Sequence, residues 1–71
     1  MTLVQAELGK KYTVSGIHTD DEELNSFLFT LGCYSGEEIT LVSKISGNYV
    51  VAIKDGRYNI DQDLAQAILI A

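Results

Sequence analysis

The chain has 71 residues, with five Lys plus Arg against ten Asp plus Glu, and a formal net charge of −5. That length holds one small domain, residues 1–71, whose core fills with side chains and leaves little room for a deep cofactor cavity. The acidic balance makes phosphate backbones and anionic lipid poor ligands, so nucleic acid is not an expected partner.

In chain order, Lys11 to Ile17 alternates as a strand, with Tyr12 and Val14 on one face. Ser15-Gly16 shifts the phase and predicts a bulge before Ile17. A helix is expected from Asp20 to Leu31, where Leu24, Phe27, Leu28 and Leu31 form a single apolar stripe at i, i+3, i+4 and i+7. Thr19 with Glu22 fits a capping box, and Asp20, Asp21, Glu22 and Glu23 suit the positive end of the helix dipole. Gly32 fits the left-handed position that ends a helix. Ile39, Leu41, Ser43 and Ile45 share a face of a strand from Glu37 to Ser46, and Ser46-Gly47-Asn48 turns it back. Tyr49, Val51 and Ile53 line the next strand, and Asp55-Gly56 is a hairpin signal leading into Arg57 to Ile60. Asp61 is placed to cap one helical turn through Leu64 and Ala65, and Ala67 to Ala71 reads as a closing strand. The pattern is mainly β with one helix: a small SH3-like barrel of five short strands, the helix inserted after the first, with closure protecting the strand edges.

Val, Ile, Leu and Phe supply 22 of the 71 residues, enough for collapse rather than disorder. A domain this short buries only about 60% of its unfolded surface, and its stability should be a few kcal/mol. The single cysteine, Cys33, excludes an internal disulfide and fits a reducing compartment. The longest apolar runs, Tyr49 to Ile53 and Ala67 to Ala71, fall far short of the roughly 20 residues that span a bilayer. Met1 is followed by no basic, apolar leader, so a cytoplasmic protein without direct membrane insertion is expected. The oligomeric state, a homo-oligomer included, is left open.

The search for chemistry finds no catalytic constellation. His18 and Cys33 could pair as imidazolium and thiolate, but they flank the predicted helix, whose length would hold them roughly 18 Å apart. Gly32-Cys33-Tyr34-Ser35-Gly36 has no serine at its centre and is not a nucleophile elbow. No glycine-rich phosphate loop is present. His18, Asp20, Asp21 and Glu22 offer one imidazole and three carboxylates suited to ferrous iron or another divalent transition metal. The same four residues equally suit a strand-to-helix loop whose acids cap the helix. Phe29 lies about 140° from the apolar stripe and should face outward. With Cys33 and Tyr34 expected on an exposed corner, it either marks a protein contact or packs under Leu3 to Leu8. Tyr12, Tyr49 or Tyr58 could instead form the aromatic groove of a generic peptide-binding adaptor.

Taken together, Leu3, Ala6, Gly9 and Tyr12-x-Val14-x-x-Ile17, then Leu28-x-x-Leu31-Gly32 and Gly36-x-x-Ile39-x-Leu41-Val42, resemble the FeoA-type proteins of bacterial ferrous iron uptake. Tyr49-Val50-Val51, Arg57-x-x-Ile60 and Ala65-x-x-Ile68-x-Ile70 continue the resemblance to the end of the chain. The sequence departs from that family's pattern at Leu31-Gly32-Cys33 and Ser35-Gly36, where the family has Leu-Gly-Leu or Leu-Gly-Met followed by Pro-Gly. Its helix also carries Asn25, Ser26 and Thr30 where basic residues are usual. The resemblance implies a non-enzymatic cytosolic accessory of FeoB, the membrane ferrous iron transporter with a cytosolic GTPase domain. On that reading Leu28, Phe29, Cys33 and Tyr34 are the expected contact residues, with Leu28 also able to act as structural support. A metal-responsive sensor or carrier built on His18, Asp20, Asp21 and Glu22 is the alternative.

Overall fold

Alternation of apolar and polar residues dictates most of the architecture, which a computed structural model describes over residues 1–71. A 3-10 turn at Leu3–Gln5 precedes strand β1 (Lys11–Ile17), helix α1 (Glu22–Thr30) and strands β2 (Glu38–Ile45), β3 (Asn48–Ile53) and β4 (Gly56–Asp61). Helix α2 (Gln62–Ala67) and strand β5 (Ile68–Ile70) close the chain. No helix is long and apolar enough to cross a membrane.

The five strands form one antiparallel sheet in the order β4-β3-β2-β1-β5. β1 serves as the corner: Lys11, Tyr12 and Thr13 pair with β2, while Val14, Gly16 and Ile17 pair with β5 across a shift between Val14 and Gly16. The expected bulge at Ser15-Gly16 is thus where the sheet changes partner. Tyr12, Val14, Ile39, Leu41, Tyr49, Val51, Ile53 and Ile60 point inward and meet Leu3, Leu28, Cys33, Ala65, Ile68 and Ile70 in one core.

Closure is incomplete, contrary to expectation. β4 and β5 stand at opposite ends of the sheet and are joined through α2 rather than by a ladder. The chain start covers one of these ends: Met1 O accepts from the Ile70 amide at 2.8 Å, and Thr2 bridges to Leu69.

Three local expectations are also corrected. In β2 the register shifts between Leu41 and Ser43, which rotates the rest of the strand, so Ser43 is half-buried and Ile45 is 69% exposed instead of sharing the inner face. The β3–β4 turn is built on Lys54 and Asp55, because Gly56 pairs with Ile53; Lys54 takes the left-handed conformation at φ 54°. Gly56 has a different role, since it leaves the space into which the end of the Tyr58 side chain packs, and a Cβ there would displace that ring. The helix starts later than its acidic run suggests, and the cap is Asp21, not Thr19. Asp21 Oδ1 accepts from the Glu23 and Leu24 amides at 3.0 and 3.3 Å, while Thr19 Oγ1 only accepts from the Asp21 amide. Asp61 caps α2 as expected, accepting from the Leu64 amide at 2.9 Å.

The apolar stripe of α1 is shallower than its spacing implies. Only Leu28 is fully buried; Leu24 and Leu31 are half-buried and Phe27 is 48% exposed. The nine-residue helix buries one side chain fully, Leu28 in its last turn, while Leu24 packs against the core from the first turn only in part. Removing the observed cap should therefore matter more than removing the expected one. Asp21→Ala should cost about 1 kcal/mol, lowering the melting temperature by about 4–8 °C. Thr19→Ala should leave it nearly unchanged, and thermal unfolding of the two variants side by side checks the assignment.

Candidate functional site

The end of α1 decides what the surface presents. Gly32 sits in the left-handed region at φ 89°, and its amide donates to Phe29 O at 3.0 Å. The Cys33 amide donates to Leu28 O at 2.9 Å. These two bonds make a Schellman turn, which folds the residue after the glycine back onto the helix. Cys33 accordingly joins Leu28 in the core, both with no exposed surface.

This overturns the expectation that Cys33 occupies an exposed corner. The sulfur cannot touch a partner, and neither can the Leu28 side chain; both instead support what lies above them. Burial pushes the Cys33 thiol up from its ordinary 9.0 to about 11, because the thiolate would be stripped of water. His18 is exposed on the strand-to-helix loop, at the far end of α1 from this buried thiol, so no thiolate–imidazolium pair exists.

Phe29 and Tyr34 are what the turn leaves outside. Phe29 is 65% exposed and does not pack under Leu3 to Leu8; it lies against Tyr34, with ring centroids 5.0 Å apart at 35°. Tyr34 is fixed from the other side by the β3–β4 hairpin. Lys54 Nζ donates to its hydroxyl at 2.7 Å, lies 5.0 Å from its ring centroid and faces Glu37 at 3.7 Å. The hydrogen bond to Tyr34, helped by the Glu37 carboxylate, raises the Lys54 pKa above its ordinary value and keeps the ammonium charged.

Between the helix end and the hairpin lies an open cleft of about 610 Å³, lined on its apolar side by Phe29, Leu31, Tyr34, Ile53 and Tyr58. Lys54 and Tyr58 were not legible as partners of Phe29, since they follow it by 25 and 29 residues. The only cue was a lysine beside the Asp55-Gly56 turn signal. Of the three tyrosines considered for an aromatic groove, Tyr58 alone lines this cleft. Tyr12 and Tyr49 are buried in the core, and the Tyr12 hydroxyl accepts from the Glu7 amide at 2.9 Å.

The acidic loop is arranged differently. His18, Asp20, Asp21 and Glu22 are all exposed, and Asp21 is engaged as the helix cap. No three His, Cys, Asp or Glu side chains of the chain gather closely enough to hold a metal ion. His18 and Asp20 share a shallow depression with Ile17 and Thr19, which Asp21 and Glu22 do not line.

Comparison with known proteins places this geometry. The family model described as FeoA domain matches residues 1–71. No curated protein matches the chain. Among solved structures, FeoA of Stenotrophomonas maltophilia complexed with zinc, described as a procaryotic SH3 domain protein, superposes with a TM-score of 0.89 at 21% identity, over 100% of this chain and 89% of that one. The FeoA-like protein of Clostridium acetobutylicum gives 0.87 at 19% identity, over 100% and 84%. A manganese-dependent transcriptional repressor gives 0.90 at 21% identity over 99% of this chain, which spans 40% of the repressor. These likenesses bear out the SH3-like fold.

The raised thiol pKa has a measurable consequence. Because the folded value lies above the unfolded one, the stability it protects is complete below pH 9.0 and is lost as pH rises through about 11. Denaturation midpoints of the wild-type protein should therefore fall more steeply across that window than those of Cys33→Ala. Parallel profiles would contradict the burial of the sulfur.

Proposed function

The chain belongs to the FeoA domain family, and from that premise we propose that it is a non-enzymatic accessory of bacterial ferrous iron transport, docking on the cytosolic GTPase region of a FeoB-type transporter. The observation that carries the reading is the aromatic pair at the helix end: Phe29, two-thirds exposed, tilted against a half-buried Tyr34 that Lys54 holds in place. Exposed aromatics in fixed orientation contribute large contact area at low entropic cost, which is the usual make-up of an interface anchor. Leu28 and Cys33 serve from beneath by holding the turn.

Burial keeps the one thiol protonated, which argues against a thiolate nucleophile at Cys33. For the S. maltophilia protein the role of a bacterial ferrous iron transport activating factor has been suggested, and an accessory role for this chain follows that suggestion.

The test is a two-dimensional NMR titration of labelled protein with the soluble GTPase domain of the matching transporter, under reducing conditions. Shifts should centre on Phe29, Tyr34 and Lys54. Phe29→Asp places a charge on a side chain that is already mostly solvated, so the fold should persist while affinity drops by at least about tenfold. Unchanged affinity in that variant would remove the aromatic pair from the contact.

A further inference from the structure

The two ends of the sheet are treated unequally. The outer edge of β5 is covered by Met1 and Thr2, whereas β4 has β3 on one side and no strand on the other. The register shows which groups that leaves free. Ile53↔Gly56 closes a two-residue turn, so Gly56, Tyr58 and Ile60 direct their amides and carbonyls toward β3. Arg57 and Asn59 direct theirs outward, as does the Asp61 amide, and all three side chains are exposed; the Asp61 carbonyl opens α2 and its Oδ1 caps the Leu64 amide, which leaves Oδ2 free. An uncovered row of this kind is a template for another strand.

We infer that this edge is a self-association surface, on which β4 of a second copy of this chain pairs antiparallel about Asn59. The argument is charge complementarity under a two-fold axis. Arg57 and Asp61 lie two residues to either side of Asn59, so the axis that sets Asn59 opposite Asn59 also sets each Arg57 opposite the Asp61 of the other copy. Both cross-strand pairs are of opposite sign. Hydrogen-bond parity allows this register: Arg57, Asn59 and Asp61 fall at the bonded positions, where Asp61 contributes its amide alone, and Tyr58 falls opposite Ile60 in the unbonded position between them.

Other registers lose this match. Centring on Tyr58 keeps the same hydrogen-bond parity but sets Arg57 opposite Asn59, and centring on Ile60 sets Asp61 opposite Asn59, so only the axis through Asn59 pairs the opposite charges. Arginine on an edge often serves to prevent pairing. Here, an aspartate at the matching distance cancels that effect for one partner only, a second copy. Each chain carries a net charge of −5, so the association is weak and concentration-dependent. It rests on β4 and not on the docking reading above.

Sedimentation equilibrium of the full chain, run up to about 1 mM to capture weak association, should show mass rising from monomer toward dimer. Amide exchange at Arg57 and Asn59 should slow over the same range. Asn59→Pro removes an amide that β3 does not use, and edge positions tolerate proline; it should abolish dimerisation while preserving the monomer. Arg57→Glu faces Asp61 with a like charge and should weaken association by at least about tenfold. A wild-type protein that stays monomeric throughout overturns the inference, as does self-association that survives both substitutions. Should Asn59→Pro fail to fold, Arg57→Glu and the exchange of the Asn59 amide decide the matter alone.

Discussion

Two hydrogen bonds at the end of one short helix organise the surface of this protein. With Gly32 at a positive φ, its amide and that of Cys33 reach back to the carbonyls of Phe29 and Leu28. An L-residue in that conformation brings its Cβ against the backbone, which costs roughly 1–2 kcal/mol. A Cβ there would stand 3.4 Å from the Lys54 side chain and 3.5 Å from Ile53, in ordinary van der Waals contact, so the demand for glycine comes from the backbone conformation. The turn it permits carries Cys33 inward and leaves Phe29 and Tyr34 outward.

From that turn the remaining features follow in order. Cys33 and Leu28 fill the core beneath the helix, and the β3–β4 hairpin closes in until Lys54 meets Tyr34 and Glu37. The ammonium orients the phenol, and the phenol orients Phe29. The electrostatic worth of an exposed pair such as Lys54 with Glu37 is small, so its contribution is to fix geometry rather than to hold the fold. Stability resides in the fourteen-residue core, which α1 enters with a single side chain. A helix so lightly anchored has apolar side chains to spare, and Phe27 and Phe29 remain on the surface.

How far the sequence predicted this varies by element, for physical reasons. β1 was legible to its ends because Tyr12 and Val14 alternate cleanly and Ser15-Gly16 marks the bulge. β2 misled after Leu41, since a bulge without glycine has no signature in the pattern and turns Ile45 outward. The helix cap was misplaced by two residues because Thr19 and Asp21 are both competent oxygen acceptors, and only backbone geometry chooses between them. Cys33 was expected outside because a residue after a helix-ending glycine is exposed unless a Schellman turn draws it in. Phe29 could be placed by angle alone, whereas its partnership with Lys54 depends on a sheet register that no local spacing encodes.

The aromatic surface depends on Gly32, and the most direct measurement is Gly32→Ala followed by both chemical unfolding and the ring-to-ring NMR contacts of Phe29 and Tyr34. A stability loss of about 1–2 kcal/mol, together with weakened or lost contacts between the two rings, is the predicted result. A variant as stable as the wild type with the aromatic pair intact would contradict the claim that this turn builds the site.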